Sequence, residues 1–317
     1  MARVSLFLLL GAGLFLLAAT AFEPGEQSPQ TSEDLGRLLF EDRILSSDES
    51  ISCASCHLPA FAFSDTSAVS IGVFGQKGNR NTPAITNMSA RSAFFWDGRA
   101  GTLEQQVLQP IENPVEMNLP LPEALARLRH NARYKSFFQT IYGRQPDSLT
   151  LADALASFVR TLETGNTPFD RWMQRRDSSM SASAVRGRQI FMNKGKCFDC
   201  HFSPDFTGDE FRNIGLYDGQ KLNDPGRFAV TKDSADLGKF KVPGLRNIAV
   251  TAPYMHDGSF RTLREVIDYY DQPDKFVSHS RNRDPLLAQP LALTETEKQD
   301  LEAFLHALTD DRFQPAR

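Results

Sequence analysis

All four cysteines of the chain fall in two copies of one short pattern, which limits the possible folds more than any other feature. "CASCH" sets Cys53 and Cys56 directly ahead of His57, and "CFDCH" sets Cys197 and Cys200 directly ahead of His201. Cys-x-x-Cys-His is the attachment signature of c-type haem. Each thiol adds to a porphyrin vinyl group, and the adjacent histidine becomes the proximal iron ligand. A zinc ribbon also uses two cysteine pairs, but about 15–20 residues apart; here the separation is 144 positions. A thioredoxin-like pair needs a βαβ context, and none is visible. No cysteine remains for a conventional disulfide framework. The expected cofactors are therefore two covalently bound c-type haems, with His57 and His201 as axial ligands.

The 317 residues are 41% hydrophobic and 23% charged, enough for two domains of ordinary size. A net charge of −4 argues against a nucleic-acid partner, which requires a basic face. The N-terminus departs from this composition. One positive charge precedes "VSLFLLLGAGLFLLAATA", which ends in small residues at Ala19–Ala21. Residues 1–21 read as a signal peptide. The alternative is an uncleaved N-terminal anchor, since a run of about 18 apolar residues just spans a bilayer. Either reading puts the protein outside the cytoplasm, in the periplasm.

Strand signals are few, and the best-patterned segments are helical. Leu151, Leu155, Phe158 and Leu162 form one apolar stripe; Leu301, Phe304, Leu305 and Leu308 form another, behind a capping box of Thr294 and Glu297. "ETGNTPFDRW" is a polar, turn-rich stretch that reads as a domain junction. It divides an N-terminal haem domain at 22–165 from a C-terminal one at 166–317. The halves share a second pattern. Pro83, Asn87, Asp97, Gly98, Thr102 and Leu103 recur 160 residues later as Pro243, Asn247, Asp257, Gly258, Thr262 and Leu263. The expected fold is mainly α, with two cytochrome c-like haem domains related by duplication.

The offset also separates the two irons. Thr262 and Glu265 cap a helix whose buried face carries Leu263, Val266, Ile267 and Tyr270, with Tyr269 off that stripe and therefore of little consequence. Tyr270 corresponds to Pro110. A phenolate binds iron and a proline side chain does not, so this position closes the second haem and leaves the first open. Gln106 corresponds to Val266 and Glu116 to Phe276. An amide and a carboxylate thus stand only beside the open iron, where a carboxylate suits proton transfer during O–O cleavage. Taken alone, Glu116 also reads as an exposed turn residue. Met255 and His256 are rival ligands to the second iron, although His256 corresponds to Trp96, which favours a non-ligand role. His130, His279 and His306 read as surface or packing residues.

With "NTPAITN", "FFWDGRAGTLEQQVLQPIENPVEM", "FDRW" and "VPGLRNIAVTAPYMHDG" added to the haem motifs, the chain resembles the bacterial dihaem cytochrome c peroxidase and MauG superfamily. The resemblance implies a peroxidatic N-terminal haem, an electron-transfer C-terminal haem and a calcium ion between the domains. It implies that Trp96 lies between the haems, that Gln106 and Glu116 form the distal pair, and that Asn81, Thr251 and Pro253 hold the calcium, the last two through backbone carbonyls. Many peroxidases of the family have methionine at the Tyr270 position and a mobile histidine ligand after the first motif. Here no histidine occurs between His57 and His130, which looks like the MauG branch.

The expected activity is that of a dihaem oxidoreductase that reacts with hydrogen peroxide at an open N-terminal haem, using electrons passed through the second. The reductant is a small electron-transfer protein, either a c-type cytochrome or a cupredoxin. The alternative is a MauG-like enzyme that uses high-valent iron to oxidise residues of a partner protein. A non-enzymatic dihaem electron carrier is the third reading; it needs both irons closed by protein ligands, which Pro110 opposes.

Overall fold

Helices begin where a short polar side chain satisfies the free N–H groups of a first turn. In the computed structural model, which describes residues 28–174 and 178–314, ten helices form. The expected leader at 1–21 lies outside the described residues. The first five helices are α1 (Ser32–Glu41, capped by Thr31), α2 (Leu103–Glu112, capped by Thr102), α3 (Leu121–His130), α4 (Ala132–Tyr142, capped by Asn131) and α5 (Ser148–Arg160, capped by Asp147). The others are α6 (Pro168–Met173), α7 (Ala182–Met192), α8 (Phe228–Thr231), α9 (Leu263–Asp271) and α10 (Glu295–His306). Both capping boxes read from the sequence, Thr262 with Glu265 and Thr294 with Glu297, are formed. The only sheet among the described residues is a pair of two-residue antiparallel strands, β1 (Phe211–Arg212) and β2 (Phe240–Lys241).

Two apolar cores result. One gathers the buried faces of α1 to α5, the other those of α6, α7, α9 and α10. Each is centred on a close helix crossing, α1 over α5 and α7 over α10. A β-carbon at Gly36 would collide with the Ala154 carbonyl, and one at Gly187 with the Asp300 carbonyl. Four residues beyond each glycine a phenylalanine meets its counterpart: Phe40 lies 5.1 Å from Phe158, and Phe191 lies 5.1 Å from Phe304. Arg186 forks onto Asp300 at 2.6 and 2.7 Å beside the second crossing.

Backbone geometry repeats at the 160-residue offset. Asn87 and Asn247 are both left-handed, with φ of 57° and 64°, and Gly98 and Gly258 share φ of 67°. Isolated bridges join Phe94 to Ala100 and Tyr254 to Phe260. The stretch between α5 and α6 touches both asparagines. Thr164 Oγ1 donates to Asn87 Oδ1 at 2.6 Å and accepts from Asn247 Nδ2 at 3.1 Å.

In an open helix, glycine-to-alanine substitution stabilises by about 1 kcal/mol. At Gly36 or Gly187 the added methyl has no room, and overpacking of this kind costs about 1–3 kcal/mol. Gly36→Ala and Gly187→Ala are therefore expected to lower the denaturation midpoint of the haem-loaded protein. A raised midpoint for either would contradict the close crossing.

Candidate haem cavity and active site

Each Cys-x-x-Cys-His motif is wound into a single 3-10 turn, Cys53–Ser55 and Cys197–Asp199. The winding brings both cysteines and the histidine to one side: His57 N–H reaches the Cys53 carbonyl at 2.9 Å, and His201 N–H reaches the Cys197 carbonyl at 2.9 Å. The ring of His57 donates from Nδ1 to the Phe63 carbonyl at 2.9 Å, and that of His201 donates to the Phe206 carbonyl at 2.9 Å. This hydrogen bond selects the tautomer whose Nε2 lone pair is free to bind a metal. Burial lowers the pKa of both imidazoles and keeps them neutral, as ligation requires. The cysteines are unpaired, and burial pushes the thiols of Cys53 and Cys197 up to about 12. That is the opposite of the activated thiolate of a redox-active pair.

A cavity of about 760 Å³ runs along both motifs. Packed interiors hold few voids larger than a water molecule, so walls enclosing this volume are built around a guest. Both cysteine pairs and both histidines line the cavity, and much of the remaining wall is apolar. Thiols for two thioether pairs, neutral imidazoles with oriented rings and an apolar enclosure fit two covalent haems.

The walls differ between the halves as the offset predicts. Pro110 lies inside α2 and Tyr270 near the end of α9, and both face the cavity. Gln106 and Val266 also line it, one turn earlier. Glu116 lines the cavity, whereas Phe276 is 47% exposed and packs edge-on against Phe260 and Tyr269. Glu116 sits in the turn after α2, where Asn113 Nδ2 donates to Oε1 at 2.6 Å. Burial raises its carboxyl above the ordinary carboxylate range, opposed by the Asn113 hydrogen bond and the charge of Arg99. A buried carboxyl so tuned is suited to taking and returning a proton.

Burial, followed by the neighbouring Tyr269, Cys197 and Cys200, holds the Tyr270 phenol far above its usual range. His256 lines the cavity, and the charged groups around it are Asp257, Asp224 and Arg80. His256 stacks on Phe240 at 3.7 Å and meets Trp96 edge-on at 6.5 Å. The two residues matched by the offset thus touch each other where the halves join. Trp96 is fixed at both ends: Nε1 donates to the Asn81 carbonyl at 2.8 Å, and its own carbonyl accepts from Lys241 N–H at 2.8 Å. Asn81 N–H in turn reaches the His256 carbonyl at 2.7 Å. Arg80 clamps the same junction, with Nε and Nη2 on Asp224 at 2.7 and 2.8 Å and Nη1 on Asp97 at 2.6 Å.

Asn81, Thr251 and Pro253 line the cavity at this junction. The Asn81 amide nitrogen is taken up by the carbonyls of Ser67 and Ala68 at 3.2 and 3.3 Å, so its side-chain oxygen is the atom available to a hard cation. His130, His279 and His306 are exposed and stand apart from the cavity. One expectation is overturned. Tyr269 is not a bystander: it is fully buried in the second core, and its hydroxyl donates to the Ile214 carbonyl at 2.7 Å. The helical stripe misses it because α9 is covered on two sides, by the cavity and by the loop that carries Ile214. The glycine crossings, the Arg80 clamp and the Asn113 contact also escaped sequence reasoning. Of these, only Asn113, three residues before Glu116, carries a local spacing signal.

The chain is similar to known proteins over most of its length. The family model for di-haem cytochrome c peroxidase matches residues 30–178. The methylamine utilization protein MauG of Methylorubrum extorquens is 38% identical over 289 residues, covering 89% of this chain and 79% of that protein. The cytochrome c551 peroxidase of Nitrosomonas europaea is 33% identical over 282 residues, covering 88% and 80%. The crystal structure of a MauG-like protein associated with microbial copper homeostasis superposes with a TM-score of 0.81 at 33% identity, covering 96% and 99%.

Tyr269→Phe is expected to destabilise the protein by about 1 kcal/mol, because it removes the hydrogen bond from a fully buried ring to the Ile214 carbonyl. Urea unfolding of the haem-loaded variant checks this; an unchanged midpoint would return Tyr269 to the role of bystander.

Proposed function

The chain belongs to the dihaem cytochrome c peroxidase family, and from that starting point we propose a division of labour between its two unequal haem sites. Membership makes it an oxidoreductase with two c-type haems and hydrogen peroxide as substrate. The N-terminal site is the one that cleaves peroxide. The observation that carries this assignment is the asymmetry of the cavity wall: Pro110, Gln106 and Glu116 face it in one half, against Tyr270, Val266 and an outward Phe276 in the other.

Bound haem supplies the redox centre at which peroxide, two electrons and two protons become two waters. His57 and His201 would ligate the irons, and Cys53, Cys56, Cys197 and Cys200 would carry the thioethers. Pro110 faces the cavity and offers no ligand, which would leave room for peroxide at the first site. The Glu116 carboxylate takes a proton from one oxygen of hydrogen peroxide and returns it to the other as that oxygen departs as water. Asn113 holds the carboxylate in place for both transfers, and the Gln106 amide orients peroxide or water. Trp96 couples the two sites electronically from its fixed position at the junction. Tyr270 closes the second site as phenolate.

Tyr270 and the histidine-free loop after the first motif support a MauG-like variant of this activity. A phenolate ligand favours oxidised iron, so Tyr270 would suit the second site to holding oxidising equivalents for residues of a partner protein. Rapid turnover with a small cytochrome or cupredoxin would instead mark a detoxifying peroxidase. We further propose that 22–165 and 166–317 are duplicated haem domains, a reading supported by the repeated geometry at Asn87 and Asn247. Asn81, with the carbonyls of Thr251 and Pro253, is proposed to hold calcium, which metal analysis of the purified protein reads directly. A periplasmic location rests on residues 1–21, and N-terminal sequencing of exported protein tests it.

Glu116→Gln keeps the shape and removes the base. The rate of the fully oxidised protein with peroxide is expected to fall about 10²–10⁴-fold, with both haems retained by intact mass. In the parent the rate should decline as pH falls through the pKa of Glu116, which burial places above the ordinary carboxylate range; the variant should lose that limb. A loss under about threefold would remove Glu116 from the mechanism.

Tyr270→Met is expected to raise the reduction potential of the second haem, since methionine ligation favours the reduced iron. Spectroelectrochemical titration reads the change. An unaltered potential would shift the ligand assignment to Met255 or His256.

A further inference from the structure

We propose that Gly72 and Val73, in the hairpin that follows the first haem motif, are positioning residues for Glu116. The proposal rests on the acid/base role given to Glu116 above. The hairpin closes through an antiparallel bridge between Ile71 and Lys77, with Gly72 N–H on the Gln76 carbonyl at 2.8 Å and Gly78 N–H on the Ser70 carbonyl at 3.0 Å. Its outer apolar side chains are open to solvent, Ile71 being 54% and Phe74 67% exposed. Gly72 and Val73 are buried. At this point the hairpin meets the rest of the protein backbone to backbone: Val73 N–H donates to the Glu116 carbonyl at 2.9 Å.

Gly72 explains why the approach is so close. Its φ of −87° and ψ of −167° are extended backbone open to any residue, so conformational freedom is not the reason for a glycine here. Space is. A β-carbon would press on the Val115 carbonyl and stand 2.5 Å from the Glu116 carbonyl oxygen and 2.8 Å from the Glu116 Cα. Gly78 in the same hairpin is the contrast, because a β-carbon there meets nothing nearer than the Ser70 carbonyl at 3.5 Å.

On its other side the Glu116 turn is held by the end of α2. Glu116 N–H bonds the Asn113 carbonyl at 3.0 Å, and Met117 N–H bonds the Pro110 carbonyl at 3.2 Å. Among the described residues the carboxylate takes its hydrogen bond from Asn113. The turn therefore sits between α2 and the hairpin, and its depth in the cavity wall is set by how closely the hairpin backbone approaches. A displacement of about 1 Å in a catalytic group costs on the order of 10²-fold in rate. Gly72, like Gly78, is part of the cavity wall, and Val73 is not; in this scheme Gly72 and Val73 act through the position of Glu116.

The test compares Gly72→Ala, Val73→Pro, Gly78→Ala, Glu116→Gln and the double variant Gly72→Ala/Glu116→Gln, all haem-loaded. Val73→Pro deletes the N–H donor at the first position of a helical turn, where proline is tolerated, and replaces Gly72→Ala should the latter fail to fold. Stopped-flow mixing of the oxidised proteins with hydrogen peroxide gives the rates. Hydrogen exchange at the Val73 amide reports the contact with no reaction running. Gly72→Ala and Val73→Pro are expected to be slowed roughly 10- to 100-fold, and Gly78→Ala to stay within about twofold of the parent. Gly72→Ala should also lose protection at Val73. In the Glu116→Gln background the Gly72 substitution should cause no further loss, because the two act as one unit. A full rate in Gly72→Ala, or an equal further loss in the double variant, would overturn the proposal. If Glu116→Gln itself retains the parent rate, the acid/base reading is what fails. Loss of Val73 protection in Gly72→Ala would then still identify Gly72 as holding the turn, and retained protection would refute that contact too.

Discussion

Two helix crossings set the frame on which everything else in this protein hangs. At Gly36 and Gly187 one helix backbone lies directly on another, with no room for a β-carbon. That closeness seats Phe40 and Phe191 beside the haem motifs: Phe40 lies 6.2 Å from the His57 ring, and Phe191 lies 6.0 Å from Phe206, whose carbonyl receives His201. A wider crossing would move the aromatic wedge and, with it, the proximal histidine. The walls then stand around a cavity too large for side chains to fill, so this core is completed by covalent haem rather than by packing alone.

Within two similar frames, chemistry is divided by single substitutions. At one helical position the cavity wall carries Pro110 in one half and Tyr270 in the other. After the helix, Glu116 faces the cavity where its counterpart Phe276 turns to solvent. These positions lie on or after α2 and α9, outside the α1–α5 and α7–α10 crossings. Two similar frames can thus carry unlike cavity walls without rebuilding either core.

The junction links the two sites rigidly. Trp96 is bonded through its indole N–H and its carbonyl, His256 stacks on Phe240, and Arg80 holds two carboxylates from different parts of the chain. The shared contact of Thr164 with Asn87 and Asn247 ties the connecting stretch into the same interface. The halves are therefore joined by directed hydrogen bonds, which fix distance and orientation more sharply than apolar contact does.

The covalent chemistry, the helix caps and the 160-residue repeat were legible in the residues alone, since each depends on groups a few positions apart or on a constant offset. That offset also singled out Pro110, Gln106 and Glu116 against Tyr270, Val266 and Phe276, and all but Phe276 line the cavity. What the chain order could not convey is which side chains meet across long separations. Tyr269 was misjudged because a helical stripe describes one buried face, and α9 is covered on two. Gly72 carries no signal in the chain order, because what it meets is the backbone of Glu116 in a distant part of the chain, and Trp96 meets its own counterpart only where the halves join. Local spacing governs bonds made within a turn; the direction a side chain faces depends on distant backbones, whose approach only the packed structure decides.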